Sequence, residues 1–268
     1  MSSSNIRVAN AFLRYASPFS SLRQVPVLGG VLRFTSRKLL DKDARLWEQI
    51  QYGPAAGLWI RINPRTGQET FLGKCEPLVQ RALADHLRPG MTFYDLGANI
   101  GFFSLLAARL VGPCGRVISM EPDPELAVRL RENLARNQFE WADVQQKAVW
   151  SCTASVTFAR CDASTSPDRG LGHVTAAEPP TGFSLTVEAT SLDDFCSSHP
   201  EPDCIKCDVE GAEVQVFHGA RNLLRRRHPI IICEMHSQAS LAHLCRQFVD
   251  LHYDCAILDH NHLLAVPV

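Results

Sequence analysis

Tyr94-Asp95-Leu96-Gly97-Ala98-Asn99-Ile100-Gly101 decides how this chain is read, because its flanks make it the turn between a strand and a helix. Upstream, Met91 to Leu96 reads as a short buried strand opened by the turn pair Pro89-Gly90. Downstream, Phe102 to Val111 is an apolar, helix-compatible run closed by Gly112-Pro113. Glycines at 97 and 101 let the turn approach a ligand closely, and the helix N-terminus offers it N–H groups. Twenty residues beyond Gly101, a second strand ends in Glu121-Pro122. A carboxylate at the tip of the second strand of a βαβ unit suits the hydroxyls of a ribose. The spacing is G-x-x-x-G after an acid, not G-x-G-x-x-G, which points away from NAD and toward S-adenosylmethionine. Asp95 is then placed for the ammonium or water network of the methionine end, and Glu121 for the ribose. The plainer alternative makes 97 and 101 turn glycines and Glu121 a solvated strand end. Two strands, a helix and an acid at this spacing favour the ligand.

Outward from that unit, apolar strands alternate with amphipathic helices, the sign of a parallel sheet covered on both faces. Strands are expected near 92–96, 116–121, 143–148, 203–208, 229–235, 253–258 and 262–266, with helices at 102–111, 124–136, 213–226 and 239–251. Toward the N-terminus, 58–62 and 68–72 flank Asn63-Pro-Arg-Thr-Gly67 and read as a hairpin, and Glu76-Pro77 opens a helix to about Leu87. The chain divides into a basic extension (1–56), a hairpin and helix leading into the core (57–90) and a ligand-binding domain (91–268). Between 149 and 202, strands near 154–159 and 185–189 flank a polar loop whose length over 160–183 suits a lid on the acceptor. Ser191-Leu-Asp-Asp194 has capping-box spacing, and its acids read as caps.

A second cluster carries chemistry. In Lys206-Cys-Asp208-Val-Glu210-Gly-Ala-Glu213 the residues 206, 208 and 210 alternate and share a face while the strand persists. The next strand ends in Glu234-Met-His236. Ligands of open α/β sheets sit beyond the carboxyl ends of the strands, so Asp95, Glu121, Asp208 and Glu234 converge on one rim. Methyl transfer to a hydroxyl gains most from proximity and something from a base. His236 has the intrinsic pKa for that base, and Asp208 or Glu210 can serve if desolvated. The bland reading has Asp208 capping a helix and His236 as a satisfied core histidine. A third has Asp208 with Glu234 or Glu210 on a divalent cation; carboxylates suit magnesium, though no spacing demands it.

At 268 residues, 46% hydrophobic and 21% charged, the composition is that of a soluble globular protein, and a net charge of −1 gives no reason to expect a nucleic-acid partner. Residues 1–50 carry eight Lys/Arg against three Asp/Glu, which reads as an ordered cap on the domain or as a transit or membrane-surface segment. No apolar run is long enough to span a membrane. Ten scattered cysteines read as reduced thiols of a cytoplasmic protein. Cys204 and Cys207 lie three apart in a strand, so they face opposite ways and read as structural. His260-Asn-His262 reads as a polar turn.

With both clusters in view, the chain resembles the FkbM family of S-adenosylmethionine-dependent methyltransferases. The resemblance rests on Gly73-Lys-Cys-Glu76-Pro77, Phe93 to Ser104, Glu121-Pro-Asp-Pro124, Ser191 to Asp194, Lys206 to Glu213 and the strand end at Glu234. It implies a class I methyltransferase fold, a Rossmann-like doubly wound α/β sheet of seven strands with the last antiparallel, and O-methylation of a small-molecule or glycan hydroxyl. It also implies Asp95, Gly97, Ala98, Asn99, Gly101 and Glu121 as cofactor contacts, Ala148 near the adenine, and Asp208 and Glu210 as site acids. The base is not fixed by the family, so Glu234 and His236 stand on the strand-end reading alone. An NAD-dependent oxidoreductase is disfavoured by the glycine spacing and by the lack of an S-x-x-x-Y-x-x-x-K set. A base N-methyltransferase is disfavoured because Asp208-Val-Glu-Gly stands where D/N-P-P-Y is expected. The non-enzyme alternative, a cofactor-binding protein of the same fold, is disfavoured by the intact glycines and acids.

Overall fold

The alternation of strands and helices resolves, in a computed structural model describing residues 44–63, 66–160, 172–175 and 184–268, into a seven-stranded sheet with a smaller sheet beside it. The basic segment lies outside the described residues up to position 43. Strands β1 (Leu46–Gln49) and β2 (Trp59–Ile62) pair antiparallel, followed by helices α1 (Gln68–Leu72) and α2 (Pro77–His86). The hairpin expected across Asn63–Gly67 is therefore absent. Residues 59–62 pair upstream instead, and 68–72 is helical, its last carbonyls bonded by the Gly73 and Lys74 N–H groups. A five-residue run is too short for periodicity to separate the two states.

The next elements are β3 (Thr92–Leu96), α3 (Phe102–Val111), β4 (Arg116–Met120), α4 (Pro124–Arg136) and β5 (Ala142–Gln145). Both helices have the bounds the sequence predicts. Asp123 caps α4 by accepting from the Glu125 and Leu126 N–H groups, with Pro124 in the first turn. Strand β2 lies on α4 through two asparagines one turn apart. Asn137 accepts from the Trp59 N–H (2.9 Å) and donates to the Trp59 carbonyl (2.7 Å), while Asn133 accepts from the Arg61 N–H (2.8 Å). These side-chain amides satisfy backbone groups that a neighbouring strand would otherwise bond.

Beyond β5 the chain builds the smaller sheet from β6 (Ala148–Val149), β7 (Ala154–Ala159), β8 (His173–Thr175) and β9 (Ser184–Thr190), in the order β6-β9-β7-β8. The strand expected over 143–148 is thus two strands. Of the expected lid, only Arg160 and 172–175 fall within the described residues, and 173–175 pair with β7. Helix α5 (Leu192–Phe195) is capped by the Ser191 hydroxyl, which accepts from the Asp194 N–H. Then come β10 (Cys204–Cys207), α6 (Glu213–His218), α7 (Arg221–Arg227), β11 (Ile230–Glu234), α8 (Gln238–Asp250), β12 (Tyr253–Ile257) and β13 (His262–Pro267). The single helix expected over 213–226 is broken at Gly219-Ala220. There the Gly219 carbonyl accepts from the Asp193 N–H, and the Asp193 carboxylate accepts from the Asn222 and Leu223 N–H groups. Asp193 is a cap, as expected, but of the neighbouring helix.

The main sheet runs β12-β13-β11-β10-β3-β4-β5, with β13 antiparallel to both its neighbours. This is the class I methyltransferase order. Strands β4 and β5 extend to one side of β3, and the chain then crosses back to place β10 on the other, so the topological switch lies between the ends of β3 and β10. One face buries Phe93, Val117, Cys204 and Ile232; the other buries Tyr94, Ile118, Cys207 and Ile231. Cys204 and Cys207 are therefore structural thiols on opposite faces. Among the described residues, no helix is long and apolar enough to cross a membrane.

Candidate active site

At the switch point the turn after β3 is closed by its own hydrogen bonds. The Gly97 and Ala98 N–H groups donate to the Met120 carbonyl, that of Asn99 to Glu121 Oε2, that of Ile100 to Asn99 Oδ1 and that of Gly101 to the Ala98 carbonyl. The glycines serve the protein before any ligand. A Cβ on Gly97, where φ is +77°, would stand 1.8 Å from the Asp208 carbonyl oxygen, and one on Gly101 would stand 2.0 Å from Leu130 Cδ1. This differs from the sequence reading, which assigns both glycines and the N–H groups to the ligand. Gly97 lets the ends of β3 and β10 touch, and so brings the two clusters of acids to one rim.

Glu121 is buried (5% exposed) and accepts from the Asn99 (2.8 Å) and Asp123 (2.9 Å) N–H groups. Burial pushes its carboxyl up to about 7 against the pull of those two bonds. Asp123, beyond it, is ion-paired at 2.6 Å with Arg160, at the root of the 160–183 loop. Ala148 is buried in β6, opposite Ala189 of β9.

Asp95, Lys206 and Ser119 are register partners on adjacent strands and face α3 together. Asp95 Oδ2 accepts from the Ser104 hydroxyl, and its Oδ1 has no hydrogen-bond partner. Burial holds its carboxyl above the usual range despite the Lys206 charge. The Lys206 ammonium, 2% exposed, donates to Asp208 Oδ2 at 3.0 Å and lies 4.7 Å from the centre of the Phe103 ring. Burial would raise Asp208, but the Lys206 charge and hydrogen bond outweigh it and keep Asp208 ionised. Asp208 Oδ1 also has no hydrogen-bond partner. Glu234, beside Asp208, is pushed up to about 7 by burial and by the charges of Asp208 and Glu76.

His236 is not the free imidazole that base catalysis asks for. Its Nε2 lies 3.2 Å from Glu210 Oε2, and its Nδ1 lies 2.8 Å from Oε1 of the fully buried Glu213. Hydrogen bonds to these two glutamates push it up to about 11. Both ring nitrogens are thus engaged by carboxylates, one of them that of Glu210, whose backbone is left-handed at φ +53°. Asp208, Glu210 and His236 do converge, with one ligand-type atom of each within 4.8 Å of the others.

Sequence reasoning missed three site residues. Lys206 was legible, since alternation puts it beside Asp208. Glu76 and His262 were not: His262 is no turn residue but the buried first residue of β13, 3.2 Å from Glu76 Oε2. Sequence distance hides that contact.

Residues 95–255 match the methyltransferase FkbM domain. The hexuronic acid methyltransferase AglP of Haloferax volcanii is 27% identical over 161 residues, covering 59% of this chain and 62% of AglP. An arsenite methyltransferase of Halobacterium salinarum is 32% identical over 108 residues, covering 38% of this chain and 27% of that protein. A solved FkbM methyltransferase of Methylobacillus flagellatus aligns with 91% of this chain and 60% of its own at 16% identity, with a TM-score of 0.49. The chain thus spans less than two thirds of the length of these relatives.

Proposed function

The chain belongs to the FkbM methyltransferase family, and from that premise we propose that it transfers a methyl group from S-adenosylmethionine to a hydroxyl of a sugar or similar small acceptor. The observation that carries this reading is the self-satisfied turn. A dinucleotide needs unpaired N–H groups there for its pyrophosphate, whereas every N–H from Gly97 to Gly101 already has an acceptor within the protein. S-adenosylmethionine has no pyrophosphate to place there.

The residues present fit that cofactor. Glu121 keeps acceptor capacity for the ribose hydroxyls beyond its two backbone bonds. The buried orphan Oδ1 of Asp95 matches an ammonium donor at the methionine end. Asn99, Gly101 and Ala148 flank the same crevice by sequence. When bound, S-adenosylmethionine supplies a methyl group on a sulfonium.

Around it, the chain positions the acceptor. Asp208 Oδ1, buried and without a donor, accepts the hydrogen of the acceptor hydroxyl, and Glu210, fixed by His236, takes a neighbouring hydroxyl. Lys206 keeps Asp208 ionised, which suits orientation of the hydroxyl better than strong base catalysis, so proximity contributes the larger share. Vicinal carboxylates matched to vicinal hydroxyls favour a sugar, as does the likeness to a hexuronic acid methyltransferase. Isotope-labelled methyl transfer to uronic acids and neutral sugars tests the reading. Asp208→Asn is expected to lower turnover by about 10²-fold or more with cofactor affinity within a few-fold. Turnover within a few-fold of the parent would remove Asp208 from the acceptor site, and no transfer to any hydroxylated acceptor would remove the reaction.

A further inference from the structure

Beside the acceptor rim, a separate set of ligand-type side chains closes on one point. Glu76 at the start of α2, Glu234 at the end of β11 and His262 at the start of β13 bring one atom each within 4.8 Å of one another. His262 is 6% exposed, and its Nδ1 lies 2.8 Å from Asp259 Oδ1. A carboxylate on one ring nitrogen fixes the N–H there, the device by which proteins orient a metal-binding imidazole. Against burial, Glu76 and Asp259 hold the pKa of the ring above its usual value, and an ion at the other nitrogen would displace the proton from it. That other nitrogen, Nε2, faces Glu76 Oε2 at 3.2 Å and Glu234 Oε2 at 3.8 Å. Neither Nε2 nor Glu76 Oε2 has a hydrogen-bond partner, because the contact between them lies off the N–H direction. Glu76 is also spent oddly for a residue preceding a helix. It makes no side-chain cap bond, and its backbone is left-handed at φ +39°, a strained conformation for a glutamate that leaves the carboxylate free to turn toward His262.

We propose that Glu76, Glu234 and His262 bind a divalent transition-metal ion, with Asp259 as its outer-sphere partner. The 3.2 and 3.8 Å edges are those of ligands about 2.1 Å from an ion, at angles of roughly 100° and 130°. One imidazole with two carboxylates selects zinc or manganese over magnesium or calcium, which prefer oxygen alone. The ion would tie the start of α2 to two strands of the sheet and hold Glu234 beside the acceptor rim, where its charge and that of Asp208 act on each other. The inference goes beyond the transferase reading and depends on neither cofactor nor acceptor.

The test is titration of the chelator-stripped full chain with Zn²⁺ and Mn²⁺ by calorimetry, and with Co²⁺ by visible absorption. One ion per chain is expected, with cobalt d–d bands and no thiolate charge-transfer band, which separates this site from the exposed Cys114 and Cys152. Asp259→Asn should weaken binding about 10–100-fold, Glu76→Gln at least about 10-fold, and His236→Gln should leave it unchanged. Glu76 is partly exposed, so its variant serves even if His262→Gln fails to fold. Binding that survives both Glu76→Gln and Asp259→Asn, binding lost in His236→Gln instead, or no ion bound at millimolar metal overturns the proposal.

Discussion

Lys206 and Glu121 are buried ionisable groups that burial treats in opposite ways. Lys206 is ion-paired with Asp208, so Lys206→Met strands Asp208 in a buried site, and breaking such a pair typically costs about 3–5 kcal/mol. Urea unfolding should show that loss, and adding Asp208→Asn to Lys206→Met should recover part of it; an additive double variant would mean the pair is not coupled. Glu121 has only backbone donors, and its carboxyl rises from 4.5 to about 7 on folding. The native state therefore holds the proton more tightly than the unfolded chain. The contribution of Glu121 to stability is full below about 4.5, falls as pH rises through the window to about 7, and is lost above it, by at most about 3 kcal/mol. Glu121→Gln should flatten that slope between pH 5 and 8, and an unchanged slope would assign it to other groups. At this scale the sequence is legible where a residue's partner is near in the chain. Alternation places Lys206 beside Asp208, but His236 was read from its intrinsic pKa, and the two glutamates that charge it, 26 and 23 positions upstream, carry no sign of doing so.

Among the elements, the contact that matters most is between the ends of β3 and β10. Gly97→Ala combines a left-handed backbone with a Cβ 1.8 Å from the Asp208 carbonyl oxygen, so the strand ends must separate. A loss of at least about 2 kcal/mol, hence roughly 4–8 °C in Tm, is expected, together with loss of both cofactor binding and turnover. A melting temperature unchanged by the substitution would deny that these strand ends touch. Helices with a punctuated start and stop were legible. Asp123-Pro124 opens α4, and Gly101 and Gly112 bracket α3. What local pattern did not reveal depended on distant neighbours. Strand β2 is edged by Asn133 of α4 and by Asn137 at its C-cap, and the helix expected over 213–226 yields to a cap from Asp193, contributed from α5.

For the molecule as a whole, the order of the sheet follows from crossovers that no local pattern encodes, yet the class was legible because βαβ units and an acid at the second strand tip belong to few folds. In the proposed function the crevice at the β3–β10 switch takes S-adenosylmethionine, with Glu121 on the ribose. Calorimetry of the purified chain with S-adenosylmethionine and, separately, NAD tests it most directly. Saturable binding of S-adenosylmethionine and none of NAD is expected, with Glu121→Ala weakening the former by about 1.5–3 kcal/mol, as when a charged hydrogen-bond acceptor is removed. Unchanged affinity in Glu121→Ala, or binding of NAD in place of S-adenosylmethionine, would contradict it.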